Sequence, residues 1–355
     1  MTTLSIAERA ILWLSGNKAE RMSGIKLRQF IELDKQLLGS SFEAFLAHLG
    51  GPSVLHINGL QPSRCRVVVT LLHGNEPSGL KAIYQLLKAG VQPFTDIKVI
   101  VGSVSAARTE PMFSHRMLPG QRDLNRCFNG PEHDLQGQLA KAISQQINQF
   151  SPEAVVDVHN TSGSGPSFCV SISDDRKHLS LASFFSGRCI HTDIRLGSLM
   201  EQNFGCPIVT VEAGGAEDPE ADNNAFNGLK SFFIHEDLFA FEHELELLNC
   251  PRRLELCLGA KLKFAEQIDG NADVTIRQDI ERYNFGITLP TDVLGWTDDD
   301  TLKYFKLDRA DMLVTKFFNV NEGQIQTTEP LKFFMVTTKA EIAKTDCLLY
   351  FVQTN

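Results

Sequence analysis

The sequence predicts an α/β fold: a mixed, largely parallel sheet with helices on both faces, followed by a smaller β-rich C-terminal domain. Two patterns carry that reading. Short β-branched runs alternate with amphipathic helical segments over residues 51–245, the rhythm of a sheet buried on both faces. After Cys250-Pro251 the helical rhythm stops, and short apolar runs follow one another between Gly, Asn and Asp turns. The 355 residues suit about two domains at ~150 residues each. The chain is accordingly divided into a helical N-terminal extension (1–50), a central α/β domain (51–245) and a β-rich C-terminal domain (246–355). No internal repeat is visible.

In the extension, Ile6, Ala10, Ile11 and Leu14 recur at helical spacing, and so do Leu27, Phe30, Ile31, Leu33 and Leu37. Gly50-Gly51-Pro52 breaks the pattern. Val67–Leu72 then reads as a buried strand, and Ser78–Ala89 as a helix with Leu80, Ile83, Tyr84 and Leu87 on one face. Strands are expected at Ile97–Val104, Ala154–Val158, Phe168–Ile172, Cys189–Ile194 and Ile208–Val211, with a helix at Leu135–Gln149. Beyond Asn223 an amphipathic segment runs to about Leu248. The C-terminal strands are expected in Leu254–Phe264, Val274–Arg277, Phe285–Leu289, Met312–Phe318, Leu331–Thr338 and Leu348–Val352.

Composition narrows the class of function. At 43% hydrophobic and 22% charged residues, the chain has enough apolar material to offset the entropy of ordering. Thirty-four basic against 43 acidic residues leave a net charge of −9, which argues against a nucleic acid or an anionic membrane as partner. The eight cysteines include no C-x2-C pair, so no zinc ribbon or redox motif is indicated. No apolar run approaches the ~20 residues of a membrane span. The N-terminus has only a five-residue apolar run after Glu8 and Arg9, so no signal peptide is expected and the cytoplasm is the expected location. A homo-oligomer is compatible with the sequence, which does not specify one.

Four segments carry chemistry. His73-Gly74-Asn75-Glu76 lies where a buried strand gives way to a helix, outside the carboxyl end of a strand where open α/β sheets bind ligands. His73 and Glu76 can converge as two metal ligands, or His73 can cap a turn while Glu76 is a first-turn acid favoured by the helix dipole. Asp157-Val158-His159-Asn160-Thr161 ends a second apolar strand. If the two strands are neighbours, His73, Glu76 and His159 meet at one sheet edge, and two histidines with a glutamate leave a fourth position for water. Between these segments, Asp123-Leu124-Asn125-Arg126 offers an amide and a guanidinium fork for a carboxylate. Asp123 could fix the tautomer of a ligand histidine; the same residues also make an ordinary polar turn. Finally, Val211-Glu212-Ala213-Gly214-Gly215 brings a glutamate out at a strand end. It is either a general base or a carboxylate paired with a basic group elsewhere.

The ordered set HGNE (73–76), DLNR (123–126), DVHNT (157–161) and VEAGG (211–215) resembles the aspartoacylase/succinylglutamate desuccinylase family, a branch of the zinc carboxypeptidase superfamily. The resemblance covers roughly residues 54–215 and implies a zinc-carboxypeptidase-like fold. Carried over residue by residue, it implies one Zn2+ per chain held by His73, Glu76 and His159, with Glu212 as catalytic base. It further implies Asn125 and Arg126 on a substrate carboxylate, and Arg116 as the arginine that polarises the scissile carbonyl. Arg122 and Arg108 are the other candidates for that last role. Aspartoacylases carry a tyrosine and an arginine shortly before the base; here the stretch is Ser198-Leu199-Met200-Glu201-Gln202-Asn203, and Arg195 is the nearest arginine. The expected function is zinc-dependent hydrolysis of the amide bond of a small N-acyl amino acid or related carboxylate-bearing amide. The rivals are a zinc carboxypeptidase or amidase acting on peptide or cell-wall fragments, and a catalytically silent metal-binding regulatory protein.

Overall fold

The computed structural model describes residues 25–161, 163, 165–240, 244–298, 301–345 and 347–354. Its centre is a nine-stranded sheet of order β1-β2-β4-β3-β5-β8-β6-β7-β9. The strands are β1 Arg28–Phe30, β2 Ser53–Ile57, β3 Gln61–Thr70, β4 Thr95–Val101, β5 Ala154–Thr161, β6 Phe168–Ser171, β7 Arg188–His191, β8 Ile208–Gly215 and β9 Glu246–Asn249. Only the β2–β4 and β6–β8 pairs are antiparallel, so the sheet is mixed and largely parallel, as the alternating pattern predicts.

Both faces are covered. Successive side chains on a strand point to opposite faces, and β3 shows the consequence. Val68 packs into a core with Leu80, Ile83, Leu229 and Phe232, while Val67 and Val69 pack with Leu139, Ile143 and Ile147. The helices are α1 Lys35–Leu38, α2 Phe42–Leu49, α3 Ser78–Lys88, α4 Val104–Arg108, α5 Leu135–Phe150, α6 Arg176–Ser183 and α7 Pro219–Ile234. Asp134 caps α5 by accepting from Gly137 N at 2.8 Å, and α7 opens on the proline that a first helical turn tolerates. Helices α3 and α7 share the first face. Gly79 lets α3 sit on the sheet, because a Cβ there would stand 2.3 Å from Thr70 Oγ1.

Past β9 the chain builds two five-stranded sheets around one shared core. Strands β10 Arg252–Leu256, β11 Leu262–Ala265, β12 Val274–Arg277, β13 Ile287–Thr288 and β14 Gly295–Thr297 come first. Strands β15 Phe305–Leu307, β16 Phe318–Asn321, β17 Gln324–Thr327, β18 Leu331–Phe334 and β19 Leu349–Gln353 follow, with a short helix α8 Ala340–Thr345 before the last. One sheet runs β13-β18-β19-β10-β15, the other β11-β12-β14-β17-β16. Phe333 and Phe351 face the core between the sheets. Their neighbours Phe334 and Val352 turn the other way and pack with Phe168, Ile190 and Leu248 of the nine-stranded sheet. The C-terminal unit is thereby seated on the end of the large sheet that carries β6 and β7.

Several expected elements are corrected. Within Leu27–Leu37 the helical spacing is overridden: Arg28–Phe30 is an edge strand parallel to β2, and helix begins only at Lys35 behind the Asp34 cap. The spacing over Ile6–Leu14 lies outside the described residues. The amphipathic segment expected to reach Leu248 ends as helix at Ile234, and Glu246–Asn249 adds a strand beside β7. The nine-stranded sheet therefore extends past residue 245, and the next sheet opens at Arg252. The run Leu254–Phe264 is two strands in different sheets, separated by the turn that follows Leu256. Met312–Phe318 contains a 3-10 turn over Val314–Lys316 rather than a strand. Among the described residues, no helix is long and apolar enough to cross a membrane.

Candidate active site

The parallel register sets the site. Thr70 on β3 pairs with Val158 on β5, and His159 pairs with Glu212 on β8, so all three strands finish along one edge. The chain leaves β3 through Leu71, a buried residue with φ of 57°. That left-handed conformation is strained for a leucine, and it turns the following His73 toward β5. The turn fits only because residue 74 is glycine: a Cβ there would lie 2.6 Å from both Ala106 Cβ and the His115 carbonyl.

His73, Glu76 and His159 are all buried, and one ligand atom from each lies within 4.8 Å of the others. His73 Nδ1 lies 2.9 Å from Glu76 Oε1, His159 Nδ1 lies 2.7 Å from Glu76 Oε2, and the two Nδ1 atoms are 3.2 Å apart. The outer nitrogens are taken: His73 Nε2 reaches Asp123 Oδ1 at 2.9 Å and His159 Nε2 reaches Asp157 Oδ2 at 2.7 Å. An ionised carboxylate only accepts, so each Nε2 carries a hydrogen, and with a cation bound in the cluster each Nδ1 would present its lone pair to it. Two imidazole nitrogens 3.2 Å apart beside a carboxylate need positive charge among them, from protons or from a metal ion. The donor set, two imidazole nitrogens and carboxylate oxygen, fits a zinc-type cation with an open position. Burial raises the Glu76 carboxyl, but the two histidines outweigh it and hold the group well below the usual carboxylate range. Burial likewise opposes charge on His159, yet Asp157 and Glu76 carry its titration well above the ordinary histidine value.

Asn160 locks this edge together. Its Oδ1 accepts from Ser78 N at 3.1 Å, and its amide donates to Ser78 Oγ at 2.9 Å and to the Gly214 carbonyl at 3.0 Å. Strand β5 is thereby tied both to the start of α3 and to β8. Neither Asn160 nor Asp157 is singled out by the sequence reading, although Asp157 had a signal. Residues two apart on a strand share a face, and Asp157 stands two before His159.

Arg116 reaches the cluster from the loop after α4. Its Nη2 donates to Asp123 Oδ2 at 2.8 Å and its Nη1 to Glu76 Oε1 at 3.2 Å. The other two candidates stand elsewhere: Arg122 donates to Asp134 at the cap of α5 at 2.6 and 2.7 Å, and Arg108 is exposed at the end of α4. Asn125 is buried; its Oδ1 accepts from Leu199 N at 2.9 Å, and its Nδ2 lies 3.4 Å from His159 Nε2. Arg126 and Glu212 line one cavity of about 110 Å³, to which Phe334, Met335 and Tyr350 of the C-terminal unit also contribute. Burial pushes the Glu212 carboxyl up to about 7. Arg195 is not part of this cavity. It donates to the Thr192 and Ile194 carbonyls and lines a separate groove with Asp193 and Lys306.

Residues 66–227, which contain His73, Glu76, Arg116, Asp123, Asn125, Arg126, His159 and Glu212, match the family described as the succinylglutamate desuccinylase/aspartoacylase catalytic domain. The structure of succinylglutamate desuccinylase from Vibrio cholerae is similar with a TM-score of 0.56 at 14% identity, over 89% of this chain and 96% of that one. The enzyme of that name from Chromobacterium violaceum gives 0.53 at 14% identity over 85% and 89% of the two chains. The product-bound ectoine utilization protein EutE (DoeB) from Ruegeria pomeroyi gives 0.53 at 16% over 85% and 88%. At these identities the likeness is one of fold, and it spans the C-terminal sheets as well as the desuccinylase/aspartoacylase domain. No curated protein sequence matches the chain. The fold and the matched domain are similar to those of the desuccinylase/aspartoacylase hydrolases, and the chain carries there a buried His-Glu-His cluster able to hold a metal ion.

Proposed function

We propose that the chain is a zinc-dependent amidohydrolase that cleaves the amide bond of a small N-acyl amino acid or a related carboxylate-bearing amide. The observation that carries the reading is the convergence of His73 Nδ1, His159 Nδ1 and the Glu76 carboxylate, with a further carboxylate behind each imidazole at Nε2. His73, Glu76 and His159 would hold one Zn2+. Zinc bound there would supply Lewis acidity, polarising a carbonyl and lowering the pKa of water to near neutrality. Asp123 and Asp157 keep both histidines in the tautomer that presents Nδ1.

The Glu212 carboxylate makes no hydrogen bond among the described residues and lines the cavity, so it is free to take a proton from water and return it to the leaving nitrogen. Arg126 and the Asn125 amide would receive the substrate carboxylate. Arg116, already turned toward the cluster, would donate to the carbonyl oxygen as negative charge develops there. The small volume of the cavity, about 110 Å³, supports a small substrate over a peptide or cell-wall fragment. An unpaired Glu212 beside Arg126 counts against a silent relative, which has no use for either. Among the described residues Cys65, Cys127, Cys169, Cys189, Cys206, Cys250 and Cys257 are free thiols, which supports a reducing, cytoplasmic location.

Elemental analysis of the purified protein is expected to give one zinc per chain, and Glu76→Ala to lose it. Glu212→Gln is expected to keep zinc and lose kcat by at least a hundredfold on the best substrate of an N-acyl amino acid panel. A zinc-free active protein, or a Glu212→Gln variant hydrolysing at the wild-type rate, refutes the reading.

A further inference from the structure

The cavity beside Arg126 and Glu212 is chemically lopsided. Val170, Ile190, Ile194, Leu196, Met200 and Phe334 supply much of its wall, and among the described residues only Arg126 and Glu212 line it with charge. The hydroxyl of Ser198, another lining residue, already donates to Glu201 Oε1 at 2.9 Å. Thr192 Oγ1 accepts from Ile194 N. No second cation enters, since Arg195 is turned into the neighbouring groove. We infer that the substrate carries a single carboxylate, matched to Arg126, and that its other arm is an uncharged branched aliphatic group of about four carbons seated in this pocket.

The inference rests on the amidohydrolase reading for the reaction and on the pocket lining for the arm. A second carboxylate would be desolvated with no cation to pair it and with Glu212 as a like-charged neighbour, the arrangement that buried charges avoid. An apolar arm gains from the same wall. The cavity of about 110 Å³ is somewhat smaller than the engineered apolar cavity of about 150 Å³ that accepts benzene, which suits an isobutyl-sized group. Each methylene buried is worth about fourfold in affinity. The three additional carbons of a leucine side chain over an alanine methyl then give roughly 60-fold.

The test uses zinc-loaded full-length protein and five ligands. N-acetyl-L-leucine and N-isovaleryl-glycine carry the branched arm on either side of the amide. N-acetyl-L-alanine is the short control, and N-acetyl-L-aspartate and N-succinyl-L-glutamate carry further carboxylates. kcat/KM is measured on wild type, and equilibrium binding by calorimetry on Glu212→Gln. At least one branched ligand is expected to exceed the short control by roughly 60-fold and both dicarboxylic ligands by about a hundredfold or more in binding. Leu196→Arg, at a half-buried wall position, is expected to weaken branched ligands and strengthen dicarboxylic ones by about tenfold each. Dicarboxylic ligands that bind as well as the branched ones overturn the inference, as does a panel in which nothing binds. Selective binding of branched ligands without turnover upholds the pocket and refutes the amidohydrolase reading. Turnover that favours dicarboxylic substrates does the reverse.

Discussion

Asp157 sits at the middle of β5, wholly buried, with Oδ2 2.7 Å from His159 Nε2 and Oδ1 without a hydrogen-bond partner. Replacing it with asparagine keeps its shape and leaves an amide oxygen for the Nε2 hydrogen, but removes the charge. A hydrogen bond to a charged group is worth about 1.5–3 kcal/mol and a neutral one about 0.5–1.5, so the loss is about 1.4 kcal/mol. That is about tenfold in zinc affinity. Asp157→Ala removes the acceptor altogether. The imidazole hydrogen is then free to move to Nδ1, where Glu76 Oε2 waits at 2.7 Å, and the lone pair that faces the cluster is lost. The expected loss is about a hundredfold, the upper end for groups behind a metal ligand. Competition against a chromophoric chelator measures the affinities, and circular dichroism of the metal-free variants checks the fold. If Asp157→Ala is folded and binds zinc within twofold of wild type, the tautomer argument fails.

Three further outcomes are expected. Gly74→Ala drives a Cβ to 2.6 Å from the His115 carbonyl and Ala106, and should destabilise by about 2 kcal/mol; an unchanged melting temperature would contradict this. Asp134→Ala removes the cap of α5 and the Arg122 pair, and should cost about 1–2 kcal/mol at pH 7 in urea titrations. Because Arg122 and the Gly137 N–H hold the Asp134 carboxyl well below the usual range, that stability is fully present above about pH 4 and is lost as pH falls through the lowered native value. A difference between variant and wild type that grows on acidification would be wrong in sign. At pH 8 a thiol reagent should modify exposed Cys250 in the native protein, whereas Cys169 and Cys189, buried on β6 and β7, should react only on unfolding. Burial pushes the Cys189 thiol up to about 12, and fast native labelling there would refute the packing.

The strands that carry the site were legible because their signal is local. Val67–Val69 and Val155–Val156 are β-branched runs buried on both faces, and a histidine at the end of each has few uses in a core. The edge strand Arg28–Phe30 was illegible because its conformation depends on β2, and its own spacing matches a helix equally well. The strand Glu246–Asn249 was hidden by the same ambiguity: Leu245, Leu247 and Leu248 suit an amphipathic helix until β7 offers a pairing edge. Arg116 could not be chosen over Arg122 on spacing alone. The choice turns on Asp134, which binds Arg122 as part of the start of α5. The partition of C-terminal strands between two sheets depends on contacts far apart in the chain, such as Leu254 with Leu349.

The wall formed by Phe334, Met335 and Tyr350 comes from a part of the chain that supplies none of the groups at the His-Glu-His cluster. Part of the cavity wall is therefore encoded more than a hundred residues beyond Glu212. Mutations at 335 or 350 can reshape what enters while the reacting groups stay where β3, β5 and β8 hold them. For directed evolution, this makes the C-terminal wall a place to diversify a library while β3, β5 and β8 are left untouched.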